Sequence, residues 1–178
     1  MSLGIGGLSA DRKYDTSSIP NSKLSGGGPG FNLLIGGTPS PGFALGGGLL
    51  WNGVHNPEAE VGESTFDTED VDIATSMLGV FIDGFPDPEG GLHIGGMLGL
   101  VGFEVAADND ALDEQTGGLG AAAWIGYGGW VGSDWSLGGM LQLTAAGTRR
   151  DFTHSDGSEV VEEVGVGTLS ILFTALYH

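Results

Sequence analysis

Cysteine is absent from the 178 residues, so neither a disulfide frame nor a thiolate metal site is available. Basic residues are nearly as scarce. Five Lys and Arg stand against 23 Asp and Glu, a formal net charge of −18, and a surface of that sign repels phosphates, which excludes nucleic acid as a partner. No run approaches the roughly 18 uninterrupted apolar residues of a membrane-spanning helix, and the best of them, Met77 to Ile82, is broken by Gly79. The opening stretch MSLGIGGLSADRKY has no charged region followed by an apolar one, so a secretory signal is expected to have been removed from this chain. Proline is limited to 7 residues and no G-X-Y period accompanies the 36 glycines, which sets aside both collagen and disorder.

What is present is alternation. The closing stretch GTLSILFTALYH, read at period two, puts Leu169, Ile171, Phe173, Ala175 and Tyr177 on one face and Thr168, Ser170, Leu172, Thr174 and Leu176 on the other. The same reading finds eight strands, near 2–10, 24–38, 42–54, 72–85, 91–104, 118–131, 134–147 and 163–178, in a single domain covering 1–178. Helices are excluded because Gly recurs inside the segments, as at Gly46, Gly47 and Gly48, and each one costs a helix interior about 1 kcal/mol.

The connections alternate too. Three are short and rich in turn formers, at 38–42, 86–90 and 132–134, while those at 11–23, 55–71, 105–117 and 148–162 are long and polar. An up-and-down meander then has one rim of tight turns and one of long loops. The long connections and the strand ends beside them hold 19 of the 23 acidic residues, which leaves the strand bodies almost free of charge on both faces. A soluble, half-solvated sheet would carry charge on its outer face.

The larger apolar residues share one face in several strands: Trp135, Leu137, Leu141 and Leu143; Phe43, Leu45, Leu49 and Trp51; Phe31, Leu33 and Ile35. Small or mildly polar residues occupy the other. In lipid a closed barrel carries its apolar side chains outward and has no unpaired edge, so the pattern predicts an all-β, eight-stranded antiparallel up-and-down transmembrane β-barrel. Phe43, Phe85, Trp130, Trp135 and Tyr177 lie near the tight-turn rim, where a membrane-interface aromatic girdle would sit. The inward candidates Asn32, Asn52, Thr75, Gln142, Thr144, Thr168 and Ser170 are neutral, which predicts a packed interior without a charged network rather than an open pore.

These features resemble the small eight-stranded bacterial outer-membrane barrels of the OmpX family and the OmpA membrane domain. The resemblance is one of pattern over nearly the whole chain. It implies a bacterial outer-membrane location, contact with the lipid bilayer and lipopolysaccharide, a tail strand that closes on the first strand, and recognition of that C-terminal strand by the outer-membrane assembly machinery. LSILFTALY fits such a strand, although Tyr177 is followed by His178 where the family usually finishes on Phe.

Chemistry is thinly represented. The stretch Asp151 to Asp156 offers Ser155, His154 and Asp side chains together, but adjacency in sequence is not triad geometry, and no catalytic residue or cofactor is assigned. Gly118 to Ala123 imitates a dinucleotide fingerprint without its strand–turn–helix setting. His93 reads as a rim side chain. Asp67, Glu69, Asp70, Asp108, Asp110 and Asp113 supply oxygen donors of the kind Ca²⁺ takes, outside any EF-hand register. The expected function is a non-enzymatic structural, adhesive or surface-interaction role, with an extracellular partner reached through the loops. The alternatives are a soluble lipocalin-like barrel that binds a small apolar ligand, and a lipid-modifying barrel enzyme.

Overall fold

The computed structural model describes residues 1–14, 21–62, 64–87, 90–107, 114–153 and 159–177. Ten strands are found there: β1 (Ser2–Tyr14), β2 (Ser22–Ser40), β3 (Phe43–His55), β4 (Glu58–Val61), β5 (Ser64–Asp67), β6 (Val71–Gly84), β7 (Leu92–Ala107), β8 (Glu114–Trp130), β9 (Trp135–Thr153) and β10 (Glu159–Tyr177). All of the pairings are antiparallel, and β1 pairs with both β2 and β10. Eight strands therefore close on themselves, with β4 and β5 standing outside the ring as a hairpin.

The register fixes the geometry. Stepping between partners from Val101 through Met77, Leu50, Asn32, Ser2, Thr174, Gly138 and Gly128 leads back to β7 at Gly91, ten residues from the start, where Gly128 N donates to Gly91 O at 2.9 Å. A stagger of that size over eight strands tilts them by about 40°. Such a barrel has room inside for its own side chains and little more.

Exposure follows the alternation with the sense expected in lipid. On β10, Leu169, Ile171, Phe173 and Tyr177 are exposed, while Thr168, Ser170, Leu172 and Thr174 are buried. Leu3, Ile5, Ile35, Leu78, Val80, Leu98, Leu100, Leu141 and Leu143 continue the exposed band around the barrel. Among the described residues tight turns close the short rim, with Val131 N donating to Trp135 O at 2.9 Å at the last of them. Between β2 and β3, Gly42 has φ +76°, a left-handed conformation that suits glycine, and its carbonyl accepts from Phe85 N at 2.8 Å.

Several strands run further than the alternation suggests: β1 continues to Tyr14, β9 reaches Thr153 and β10 starts at Glu159. Nineteen residues in β10, rising ~3.3 Å each at ~40°, span roughly 48 Å against a hydrocarbon layer of about 30 Å. The surplus lies on the long-loop side. There the outward positions carry Asp11, Lys13, Gly165 and Glu163, so apolar contrast disappears although backbone pairing continues.

Candidate functional site

Three regions could carry function: the outer rim, the lumen and the tight-turn mouth. The outer rim is built by β2 changing partner. Its residues Gly30–Gly37 pair with β3, whereas Ser22–Ser25 pair with β4, and Lys23 Nζ lies 4.0 Å from Glu60. The hairpin is fastened at its base, where Asn56 N donates to Val71 O at 2.7 Å and Thr68 Oγ1 donates to Pro57 O at 2.6 Å. Asn56 (φ 50°) and Asp70 (φ 58°) take the left-handed turn conformations that Asn and Asp tolerate. Beside it, exposed His55 donates through Nδ1 to Asp72 Oδ1 at 2.6 Å and accepts through Nε2 from Asn56 Nδ2 at 3.1 Å. Under the hairpin lies a cavity of about 350 Å³, floored by Ala10, Leu24, Phe103 and Val164, with Arg12 and Lys23 on its wall.

The lumen is filled in layers. On the long-loop side Leu8, Ala10, Val54, Ile73, Phe103, Val164 and Val166 form one apolar cluster. Toward the tight turns a second holds Leu50, Met77, Phe81, Met97, Val101, Ala122, Trp124, Met140 and Leu172. Polar residues lie between them along β3 (Asn52), β6 (Thr75) and β10 (Thr168 and Ser170), all buried. Within this belt Asn32 Nδ2 donates to Gln142 Oε1 at 2.6 Å, Gln142 Nε2 to Thr144 Oγ1 at 3.4 Å, and Ser170 Oγ to Asn52 Oδ1 at 2.9 Å. The polar positions read from the sequence thus share one belt. The two apolar plugs around it were not anticipated there; side chains that face neither lipid nor water pack as any protein interior does.

The expectation of an interior without charged groups is corrected. Asp83 and His93 are both lumenal and buried, with 5% and 2% of their surface exposed. His93 Nδ1 donates to Asp83 Oδ2 at 2.9 Å, so His93 is not a rim side chain. Phe85 stacks on the imidazole, with centroids 5.5 Å apart and planes 17° from parallel. Strand parity held the signal: Asp83 follows Phe81 by two, and His93 precedes Met97 by four.

The other sequence-read positions separate. Trp135 and Tyr177 are exposed on the lipid side and meet edge to face at 5.4 Å, and Phe43 has the same outward parity. Phe85 faces the lumen, and Trp130 pairs with lumenal Ser136 at the mouth. Asp67, Glu69 and Asp70 are exposed around the end of β5. Among the described residues no three His, Asp or Glu side chains converge as a metal site. Asp108, Asp110, Asp113, His154 and Ser155 lie outside the described residues.

A closed ring with an apolar outer band, short turns at one end and long connections at the other is the plan of bacterial outer-membrane barrels. The chain has the fold of the small outer-membrane β-barrels. It is similar in structure to the outer-membrane protein OprG of Pseudomonas aeruginosa (11% identity, 99% of this chain and 94% of that one, TM-score 0.49). It is likewise similar to neisserial surface protein A (12%, 100% and 99%, 0.46) and to Ail, the attachment invasion locus protein of Yersinia pestis (12%, 99% and 97%, 0.42). No protein-family model matches the sequence. Comparison with curated proteins also finds no match.

Proposed function

We propose that this chain is a non-enzymatic protein of the bacterial outer membrane whose acidic outer rim makes contacts at the cell surface. One observation carries the reading: the strands and the β4–β5 hairpin rise well beyond the lipid band on the side that holds most of the acidic residues, while the lumen beneath is packed. A filled lumen argues against bulk transport, and a raised, paired rim offers a firm platform for a partner. Phe43, Trp135 and Tyr177 serve as interfacial anchors in the lipid headgroup region, and the β10 end is the segment offered to the assembly machinery.

Display on a bacterial surface tests this. Cells carrying the full chain would be compared with cells carrying a version in which residues 58–67 are replaced by a two-residue turn, and both scored for adherence to epithelial layers and matrix proteins. Higher adherence of the full chain, lost with the hairpin, supports the reading. Equal adherence at equal surface levels, or hydrolysis of lipid or peptide substrates by the detergent-folded protein, overturns it.

A further inference from the structure

The tight-turn mouth lies at the opposite end from the proposed contact surface and opens into a cavity of about 470 Å³. Its lumenal wall includes Leu34, Ala44, Phe81, Asp83, Phe85 and Leu176. We infer that this cavity binds a small primary alkylammonium ion, with Asp83 as its counter-ion and the rings of Phe81 and Phe85 against the cation.

Three observations lead there. First, Asp83 is 95% buried and only its Oδ2 is satisfied, by His93; Oδ1 has no partner. A carboxylate oxygen in such a place needs a donor, and a primary ammonium brings three. Trp124 Nε1 is unpartnered as well, and Asp83, Gly95 and Trp124 are register partners across β6, β7 and β8. The indole lies over Gly95, whose missing side chain leaves room for it. Phe81, which lines the cavity, packs against the Trp124 ring with centroids 6.4 Å apart, so the indole N–H resonance reads occupancy through that contact.

Second, the Asp, Glu, Lys and Arg charge at this end has one sign, and the Met1 ammonium, which also lines the cavity, is engaged with Ala175 O at 2.9 Å. All five Lys and Arg (Arg12, Lys13, Lys23, Arg149 and Arg150) lie at the long-loop ends of β1, β2 and β9, whereas exposed Asp87 and Asp134 flank the tight-turn mouth. A cation approaching from that side meets an attractive field and no fixed Lys or Arg competitor for Asp83. Third, apart from Thr38, the Met1 terminus and the backbone of Gly36 and Gly37, the rest of the wall is aliphatic or aromatic, suited to a short alkyl tail and to the cation–π contact that ring faces give an ammonium. A neutral alcohol of the same length shares the tail and lacks the charge.

The test uses the full chain folded in a non-ionic detergent, titrated with n-butylammonium chloride and, in parallel, n-butanol, while the Trp124 indole N–H resonance is followed. The expected result is a saturable shift with butylammonium alone, weakened at least about tenfold in Asp83→Asn. Ala44→Leu, which fills the cavity and keeps Asp83 and both rings, is expected to abolish the shift, and it decides the matter if Asp83→Asn does not fold. No saturable shift, an equal response to butanol, or a folded Ala44→Leu that binds as before would overturn the site. None of these outcomes bears on adhesion by the outer rim.

Discussion

His93 Nε2 occupies the space in which a side chain on Gly126 would begin, while Nδ1 of the same ring holds Asp83 at 2.9 Å. Gly126 and His93 are direct partners across β8 and β7, so the imidazole lies flat over a bare backbone and cannot retreat toward Phe85, which stacks on it. Gly126→Ala must therefore displace the ring and stretch the Asp83 contact. The expected cost is about 1–3 kcal/mol, as for other overpacked interiors. Unfolding in urea from detergent micelles measures it, with Gly129→Ala, where nothing lies within 4 Å of a new Cβ, as the control. Equal stability of the two variants would show that the ring is not held as described.

The bond between Asn32 and Gln142 joins β2 to β9 across the lumen at 2.6 Å, and both side chains are buried. Gln142→Leu leaves the Asn32 amide without its acceptor, at an expected cost of about 1–3 kcal/mol. Replacing both residues by Leu removes the orphan along with the bond and is expected to recover part of the loss. A double variant no better than the single one would place the cost in packing instead of hydrogen bonding. Urea titrations of the parent chain, the single variant and the double variant decide between these.

How much of this was legible in the sequence depended on contrast. β10 was readable at nearly full strength because Leu169, Ile171 and Phe173 alternate with Thr168, Ser170 and Thr174, and lipid and lumen demand different side chains. The β4–β5 hairpin was not, since Ser64–Asp67 is exposed throughout and only Ala59 of Glu58–Val61 is buried, too short a stretch for a periodicity to show. Asp83 and His93 had lumenal parity in plain view, but their meeting depends on the β6–β7 register, which pairs Asp83 with Gly95 and places His93 one inward step away. Inspection of either strand alone reads a charged residue beside a turn as a rim residue.

The lipid-facing assignment gives a prediction at Ile171, which is 66% exposed between Leu169 and Phe173 in the apolar band. Ile171→Arg puts a charge into hydrocarbon and is expected to cost about 2–4 kcal/mol of folding free energy in a bilayer. Lys13→Gln, at an exposed position at the watery end of β1, is expected to change stability by less than about 0.5 kcal/mol. Folding into phosphatidylcholine vesicles, followed by the mobility difference between unboiled and boiled samples, compares them. Tolerance of Arg at 171 would reverse the inside-out sense of the barrel.

Trp135 and Tyr177 face each other across β9 and β10 as register partners, with centroids 5.4 Å apart and planes at 63°. Edge-to-face pairs of this kind couple by about 0.5–1.5 kcal/mol beyond the area they bury. The effects of Trp135→Ala and Tyr177→Ala on stability in vesicles are therefore expected to fall short of additivity by that amount in the double variant. If Tyr177 also serves the assembly machinery, Tyr177→Ala should reduce the amount of folded barrel in the outer membrane of cells more than Trp135→Ala does, although each removes the same pair contact. Equal yields of the two variants in cells would leave Tyr177 as an interface anchor with no part in assembly.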